Sequence, residues 1–338
     1  MGADEGLFRV ELNSRGRYNS VVWRLSGILN QHCGGRIMYS CDRRHFIKKS
    51  AGAGAGLFIA SAIGPRVAAQ AKAELSTPAA EKMGWEIGCQ LYTFRDRPFY
   101  DALDAIRGLG IRHVEPCFFL PLSKERPDLR TSEMLSAGQR NELKKRLADR
   151  GVKMSGYYAP IENDTSKFRR IFDFAKEMGV RHLVAEPLAP VFDELEKLCG
   201  EYQINLAVHN HPKGNNSRYW RPENVLAVCE GRSGQIGSCS DTGHWVRSGL
   251  DPVECLRKMK GRILALHLKD VVEWNKPEAR DVPLGTGMAN YTAVLKELHA
   301  QKFRGLMTVE YEHLSDQLVA DVAQCIKFVE DFAVSLTP

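Results

Sequence analysis

An acid and an imidazole three residues apart, Asp241 and His244, lie in the stretch QIGSCSDTGHWVRSG (235–249), directly after a run of small strand-forming residues. Carboxylate oxygen and imidazole nitrogen both ligate divalent metals of the Mn, Co and Zn class, and a polar substrate is the other ligand such a pair can hold. The bland alternative is a turn in which Asp241 only caps the helix that follows. Taken alone, that turn is the better reading. Five further segments change the balance. Apolar runs end in Glu115 (RHVEP), Glu186 (RHLVAEP), His209 with His211 (INLAVHNH), His267 with Lys269 and Asp270 (RILALHLKD), and Glu310 with Glu312 (LMTVEYE). Burying an unmatched charge is costly, so such residues are rare at strand ends unless paired or ligating. Any one of them could be a salt-bridged structural residue, but a set of them converging on one place is a specific signal.

The elements that must position them alternate without a break. Strands are expected at 87–94, 112–116, 152–158, 181–186, 204–209, 235–240, 262–268 and 306–311. Helices are expected at 100–109, 139–150, 168–178, 191–199, 222–229, 252–259, 291–300 and 317–333. The third helix shows the pattern clearly, with Phe168, Ile171, Phe172, Ala175 and Met178 on one face and Gly179 as its stop. Eight strand–helix units predict an α/β fold, a single (β/α)8 TIM barrel over 84–335. A doubly wound open sheet is the alternative, but no Gly-rich phosphate loop follows the first strand. In a barrel, functional side chains lie at the C-terminal ends of strands, where the acids and imidazoles stand.

Composition narrows the class. A hydrophobic content of 43% and a charged content of 26% are those of a globular protein, and a net charge of +6 without a basic, aromatic-laced patch excludes nucleic acid as a partner. Nine scattered cysteines, with no C-x-x-C, read as buried small residues and not as a disulfide framework. Residues 1–37 lack pattern, and Met38 is the expected true start. Ser40-Cys-Asp-Arg43-Arg44-His-Phe46-Ile47-Lys48 resembles a twin-arginine export signal. A soft apolar run over 50–63 and a small-x-small site at Ala69-Gln70-Ala71 follow. Residues 38–71 are therefore expected to be a removable signal and 72–83 a linker. Localisation would be periplasmic or extracellular, with no stable membrane association after cleavage.

With these strand ends in place, residues 84–333 resemble the xylose isomerase-like barrel superfamily of sugar isomerases and epimerases. In its epimerase branch a Glu, an Asp, a His and a Glu on strands four, six, seven and eight hold one divalent metal. The resemblance carries those roles to Glu186 in VAEP, Asp241 in SDTGH, His267 in LHLKD and Glu310 in TVEYE, and a substrate-binding role to His244. His209-Asn-His211 resembles a polar motif after strand five in many relatives. The substrate-binding set is His209, His211, His244, Lys269, Glu115 and Trp220. Lys269, Asp270 and Glu273 stand where the epimerases carry an arginine. The nuclease branch is excluded, since its D-x-H pair and early histidines are missing.

Three carboxylates and one imidazole imply an oxygen-rich site favouring Mn, Mg or Co, with Zn or Fe also compatible. A divalent metal beside a carbonyl and its neighbouring hydroxyl stabilises the enediolate formed when a proton leaves the intervening carbon. Glu186 and Glu310 would serve as the acid/base pair. The leading expectation is a metal-dependent isomerase or epimerase of a neutral or oxidised keto sugar, because an exported chain meets few sugar phosphates. The second is a lyase on 3-keto-glycosides, in which loss of the C2 proton expels the aglycone. The third, a non-catalytic sugar-binding barrel, predicts loss of Glu186 or Glu310, and both are present. Metal-free glycoside hydrolysis by two carboxylates leaves Asp241 and His267 without a role. A homo-oligomer is compatible with the sequence. Trp220, with Tyr219 and Arg218, could stack on sugar or tuck against the barrel, and the loop 282–287 could contact substrate or simply turn the chain.

Overall fold

The computed structural model describes residues 75–214 and 217–336. The extension 1–37, the signal 38–71 and the first three linker residues lie outside the described residues. The strands are β1 (Trp85–Gln90), β2 (His113–Glu115), β3 (Lys153–Met154), β4 (Gly156–Tyr158), β5 (His182–Ala185), β6 (Asn205–His209), β7 (Ile236–Asp241), β8 (Ile263–Leu268), β9 (Asp270–Val271), β10 (Asp281–Val282) and β11 (Gly305–Val309). Nine of them form one parallel sheet in the order β3-β2-β1-β11-β8-β7-β6-β5-β4, and β9 and β10 pair as a separate antiparallel hairpin. β3 and β4 flank Ser155, whose N–H donates to the Val114 carbonyl at 3.1 Å and whose carbonyl accepts from the Arg181 N–H at 3.0 Å. Tyr158 also bridges to Cys117. The two short strands therefore act as one stave joining both ends of the sheet, which makes the expected eight-stave barrel.

Local chemistry sets the helix boundaries. Ser136 and Gln139 form a reciprocal capping box at the start of Ala137–Ala148, and Asp251 accepts from Val253 N–H before Pro252–Lys258. Gly179, at φ +78°, ends Phe168–Met178 in the left-handed conformation. Three segments differ from expectation. The first strand stops at Gln90, whose side chain accepts from Tyr92 N–H, and Leu91–Phe94 winds into a 3-10 turn. The last part of the expected linker is helical over Pro78–Lys82, because the Glu330 carboxylate accepts from Ala79 and Ala80 N–H at 2.9 and 3.0 Å. Thr242–Arg247 is a helix in a stretch where none was expected before 252.

The two-residue period of the strands sets the height of the site. Val184, Ala207, Cys239, Ala265 and Leu306 fill the barrel interior as one small core cluster. Two residues further along the same strands stand Glu186, His209, Asp241 and His267, on the same inward face. Leu306 leads through Thr308 to Glu310 in the same way. A larger core, with Trp85, Phe99, Phe172, Trp245 and Tyr291, packs between the strands and the outer helices. No helix among the described residues is long and apolar enough to cross a membrane.

His182 opens β5 at the opposite, N-terminal end of the barrel. It is buried, and its Nδ1 has no hydrogen-bond partner. Burial first, and then the Arg181 charge, push its pKa down to about 4, against a weaker pull from Glu86. The unfolded chain takes up this proton near pH 6.5 and the folded chain does so only near 4, so the unfolded state binds more protons in that window. The stabilisation is complete above the unfolded pKa and is lost as pH falls toward the folded one, by about 3 kcal/mol. Denaturant titrations at pH 7, 5 and 4 are expected to show a shallower acid loss for His182→Leu than for the native chain. Parallel losses in both would remove His182 as the cause.

Candidate metal centre at the barrel mouth

Four donors converge above the inner core. His209 Nε2 and His267 Nδ1 stand 3.1 Å apart, and Glu310 Oε2 is 3.1 Å from the same His267 nitrogen. Asp241 Oδ2 lies 3.8 Å from His209 Nε2 and 4.0 Å from His267 Nδ1. All four donor atoms fall within 4.8 Å of one another, and all four residues are buried.

Asp241 performs both of its candidate tasks. Oδ1 accepts from His244 N–H at 2.7 Å and caps the helix Thr242–Arg247, while Oδ2 faces the other donors. Asn210 clasps its backbone, accepting from Asp241 N–H at 2.8 Å and donating to its carbonyl at 3.0 Å. The buried Oδ2 has no hydrogen bond. Lys269 Nζ is 3.1 Å from it, in an ion pair without hydrogen-bond alignment.

Lys269 is the fixed cation of the site. Its buried ammonium also lies 2.9 Å from Glu310 Oε2, 3.2 Å from Glu312 Oε1 and 3.3 Å from His244 Nε2. Burial disfavours its charge, but Asp241, Glu310 and Glu312 outweigh that and raise its pKa above the ordinary lysine value. Gly243 gives its stem room, since a Cβ there would lie 2.5 Å from Lys269 Cγ. Burial pushes the Glu310 carboxyl up, yet Lys269 and His267 hold it well below the usual range.

Glu186 stands one imidazole away from the four-donor group. Its Oε1 accepts from Tyr158 O–H at 2.8 Å and lies 2.8 Å from His211 Nδ1 and 3.5 Å from His209 Nδ1. Burial raises its pKa, but hydrogen bonds from His209 and His211 prevail and keep the carboxylate ionised. The resemblance placed Glu186 among the ligands and His209 at the substrate. In the structure His209 belongs to two donor groups, the one with Asp241, His267 and Glu310 and a second with Glu186 and His211.

His244 meets a donor at each ring nitrogen, Arg247 Nη1 at 3.1 Å and Lys269 Nζ at 3.3 Å. Burial and then the Lys269 charge push its pKa well down, so the ring is neutral. Arg247 is itself saturated by Glu312, Asp281 and the Ala279 carbonyl. Sequence reasoning missed Arg247, although Asp241, His244 and Arg247 recur every three residues, a helical stripe.

The remaining candidates take other places. Glu115 is wholly buried, with its Oε1 2.9 Å from His267 Nε2. Trp220 is half-buried, its ring flanked by Lys213 and Arg221. Tyr219 donates to the Pro187 carbonyl and so ties that loop to the end of β5. The loop 282–287 is a bracket, because the Asp270 carboxylate accepts from Val271, Gly285, Gly287 and Ala289 N–H at 2.9 to 3.0 Å.

Two imidazoles and two carboxylates, one of them with a buried oxygen that accepts no hydrogen bond, suit a divalent metal ion. The comparisons agree with the fold. A model of the xylose isomerase-like TIM barrel family matches residues 103–330. The chain belongs to that family. A protein of unassigned function from Parabacteroides distasonis is 30% identical, with 73% of this chain and 99% of that one superposed at a TM-score of 0.59. An L-ribulose 3-epimerase superposes at a TM-score of 0.57 with 15% identity, covering 74% of this chain and 94% of that one. Inosose dehydratase of Geobacillus thermodenitrificans is 26% identical over 219 residues, half of this chain and 72% of the enzyme. An uncharacterised protein of Sinorhizobium fredii is matched over only 43% of its length, so the curated relatives are spanned in part.

Proposed function

We propose that this protein is a divalent-metal-dependent isomerase or epimerase of keto sugars that works by moving a proton at the carbon beside a carbonyl. The observation that carries the reading is the buried group of His209, Asp241, His267 and Glu310, with a second ionised carboxylate, Glu186, across His209. His209, Asp241, His267 and Glu310 would hold the ion, and the second imidazole moves the preference from Mg toward Mn, Co, Fe or Zn. An ion held there supplies Lewis acidity, lowering the cost of negative charge on a carbonyl oxygen and its neighbouring hydroxyl. Glu186 and Glu310 are both ionised at neutral pH and so can each accept a proton from substrate carbon. Lys269 sets the charge of Glu310, and Tyr158 and His211 set the orientation of Glu186. Relatives named as a 3-epimerase and a dehydratase support an enzyme whose chemistry starts from such a proton transfer.

A second reading, elimination on a 3-keto-glycoside, is favoured by one feature. Tyr158 stacks on Phe118, Phe118 meets Phe119 edge-on, and Phe119 meets Tyr92 edge-on. This chain of rings runs outward from Glu186, and Phe119 is 40% exposed. Such a wall offers more apolar surface than a free sugar uses and suits an aglycone. Elemental analysis of the full chain, with a screen of keto sugars and 3-keto-glycosides for proton exchange in deuterated water, tests both readings. Metal-dependent exchange at the carbon beside the carbonyl is the expected result, and release of the aglycone would select the second reading. A chain loaded with metal that exchanges no proton from either class would overturn both.

A further inference from the structure

Glu115 closes β2, and its side chain is fully buried. Its Oε1 lies 2.9 Å from His267 Nε2, while Oε2 has no hydrogen-bond partner. Oε2 faces the backbone of Gly156 and the barrel interior. A Cβ on Gly156 would lie 2.9 Å from Oε2 and 3.0 Å from Leu306 Cδ2. Cys239, which completes a three-donor group with Glu115 and His267, belongs to the inner core. Glu115 thus reaches the centre only through the imidazole. A carboxylate accepts from N–H, so the Nε2 edge of His267 is committed to Glu115. The Nδ1 edge is left facing His209, Glu310 and Asp241.

We infer that Glu115 is a positioning residue that holds His267 as the Nε2–H tautomer and so presents the Nδ1 lone pair to a divalent ion. This rests on the metal reading above. The carboxylate fixes the ring plane and raises the basicity of the ligating nitrogen, as outer-shell carboxylates do in histidine–metal sites.

The test uses the full native chain and its Glu115→Gln and Glu115→Ala variants, stripped and titrated with Co²⁺ against a competing chelator. Relative to native, affinity is expected to fall about tenfold in Glu115→Gln and about 100-fold in Glu115→Ala, with a changed Co²⁺ visible spectrum. Glutamine can still accept the Nε2–H but carries no charge, so it should restore part of the loss seen with alanine. A packing role alone predicts native affinity in the isosteric Gln variant. In the Zn²⁺-loaded native chain, ¹⁵N spectra of the imidazoles should show His267 protonated at Nε2 and bound through Nδ1. Native affinity and spectrum in Glu115→Gln, or a His267 bound through Nε2, would overturn the inference while leaving the metal reading intact. A native chain that takes up neither ion overturns the metal reading and this inference with it. If Glu115→Ala does not fold, the Gln variant and the native ¹⁵N spectrum still decide.

Discussion

Glu310→Gln is expected to lower turnover by about 10² to 10⁴, the usual worth of a positioned proton-transfer group. The amide keeps the shape of the side chain and can still offer a carbonyl oxygen to Lys269 Nζ, which lies 2.9 Å from Oε2 in the native chain. It cannot take a proton near neutral pH. Metal and substrate binding should therefore weaken but remain measurable while the chemical step fails. Glu186→Gln should behave likewise, and with less effect on metal because Glu186 stands outside the four-donor group. One of the two variants is expected to exchange the substrate proton with solvent without forming product, which would assign the carboxylate that removes the proton and the one that returns it. Near-native turnover in both, with metal bound, would sink the two-carboxylate mechanism and make His211 the candidate base.

His267→Ala is expected to remove metal and activity together. The ring supplies one of four converging donors and also satisfies Glu115 on its other edge. Its loss opens the ion's shell and strands a buried carboxylate, a penalty of about 1 to 3 kcal/mol beyond the lost ligand. Elemental analysis should find the metal content sharply reduced, and denaturant unfolding of the metal-free variant should show the added instability. Full occupancy in this variant would strike His267 from the donor set.

Much of this arrangement was legible in the chain. The strand ends holding Glu186, His209, Asp241, His267 and Glu310 could be read because apolar runs of strand length end in them, and unbroken strand–helix alternation implies a barrel whose strand ends share one mouth. What stayed hidden depends on contact between distant segments. Glu115 looked like any acid at a strand end, and only closure of the barrel sets it against His267, 152 residues away. The placing of His209 between Glu186 and His267 has the same origin, because strand order is legible in sequence but the direction of a long side chain is not. The helix Thr242–Arg247 was obscured by Gly243, ordinarily a helix weakener, which is present so that Lys269 can pass.

Lys269 gives the carboxylates of the barrel mouth a counter-ion of their own. Asp241, Glu310 and Glu312 would otherwise face one another in a buried space and resist closure until an ion arrived. With the ammonium among them, the barrel can fold without an ion, and a metal of the proposed kind would load afterwards. The incoming ion must then win those oxygens from an occupant tethered to the end of β8, which never diffuses away. Ion choice becomes a contest of charge density, in which a monovalent cation gains nothing over the ammonium and a divalent one does.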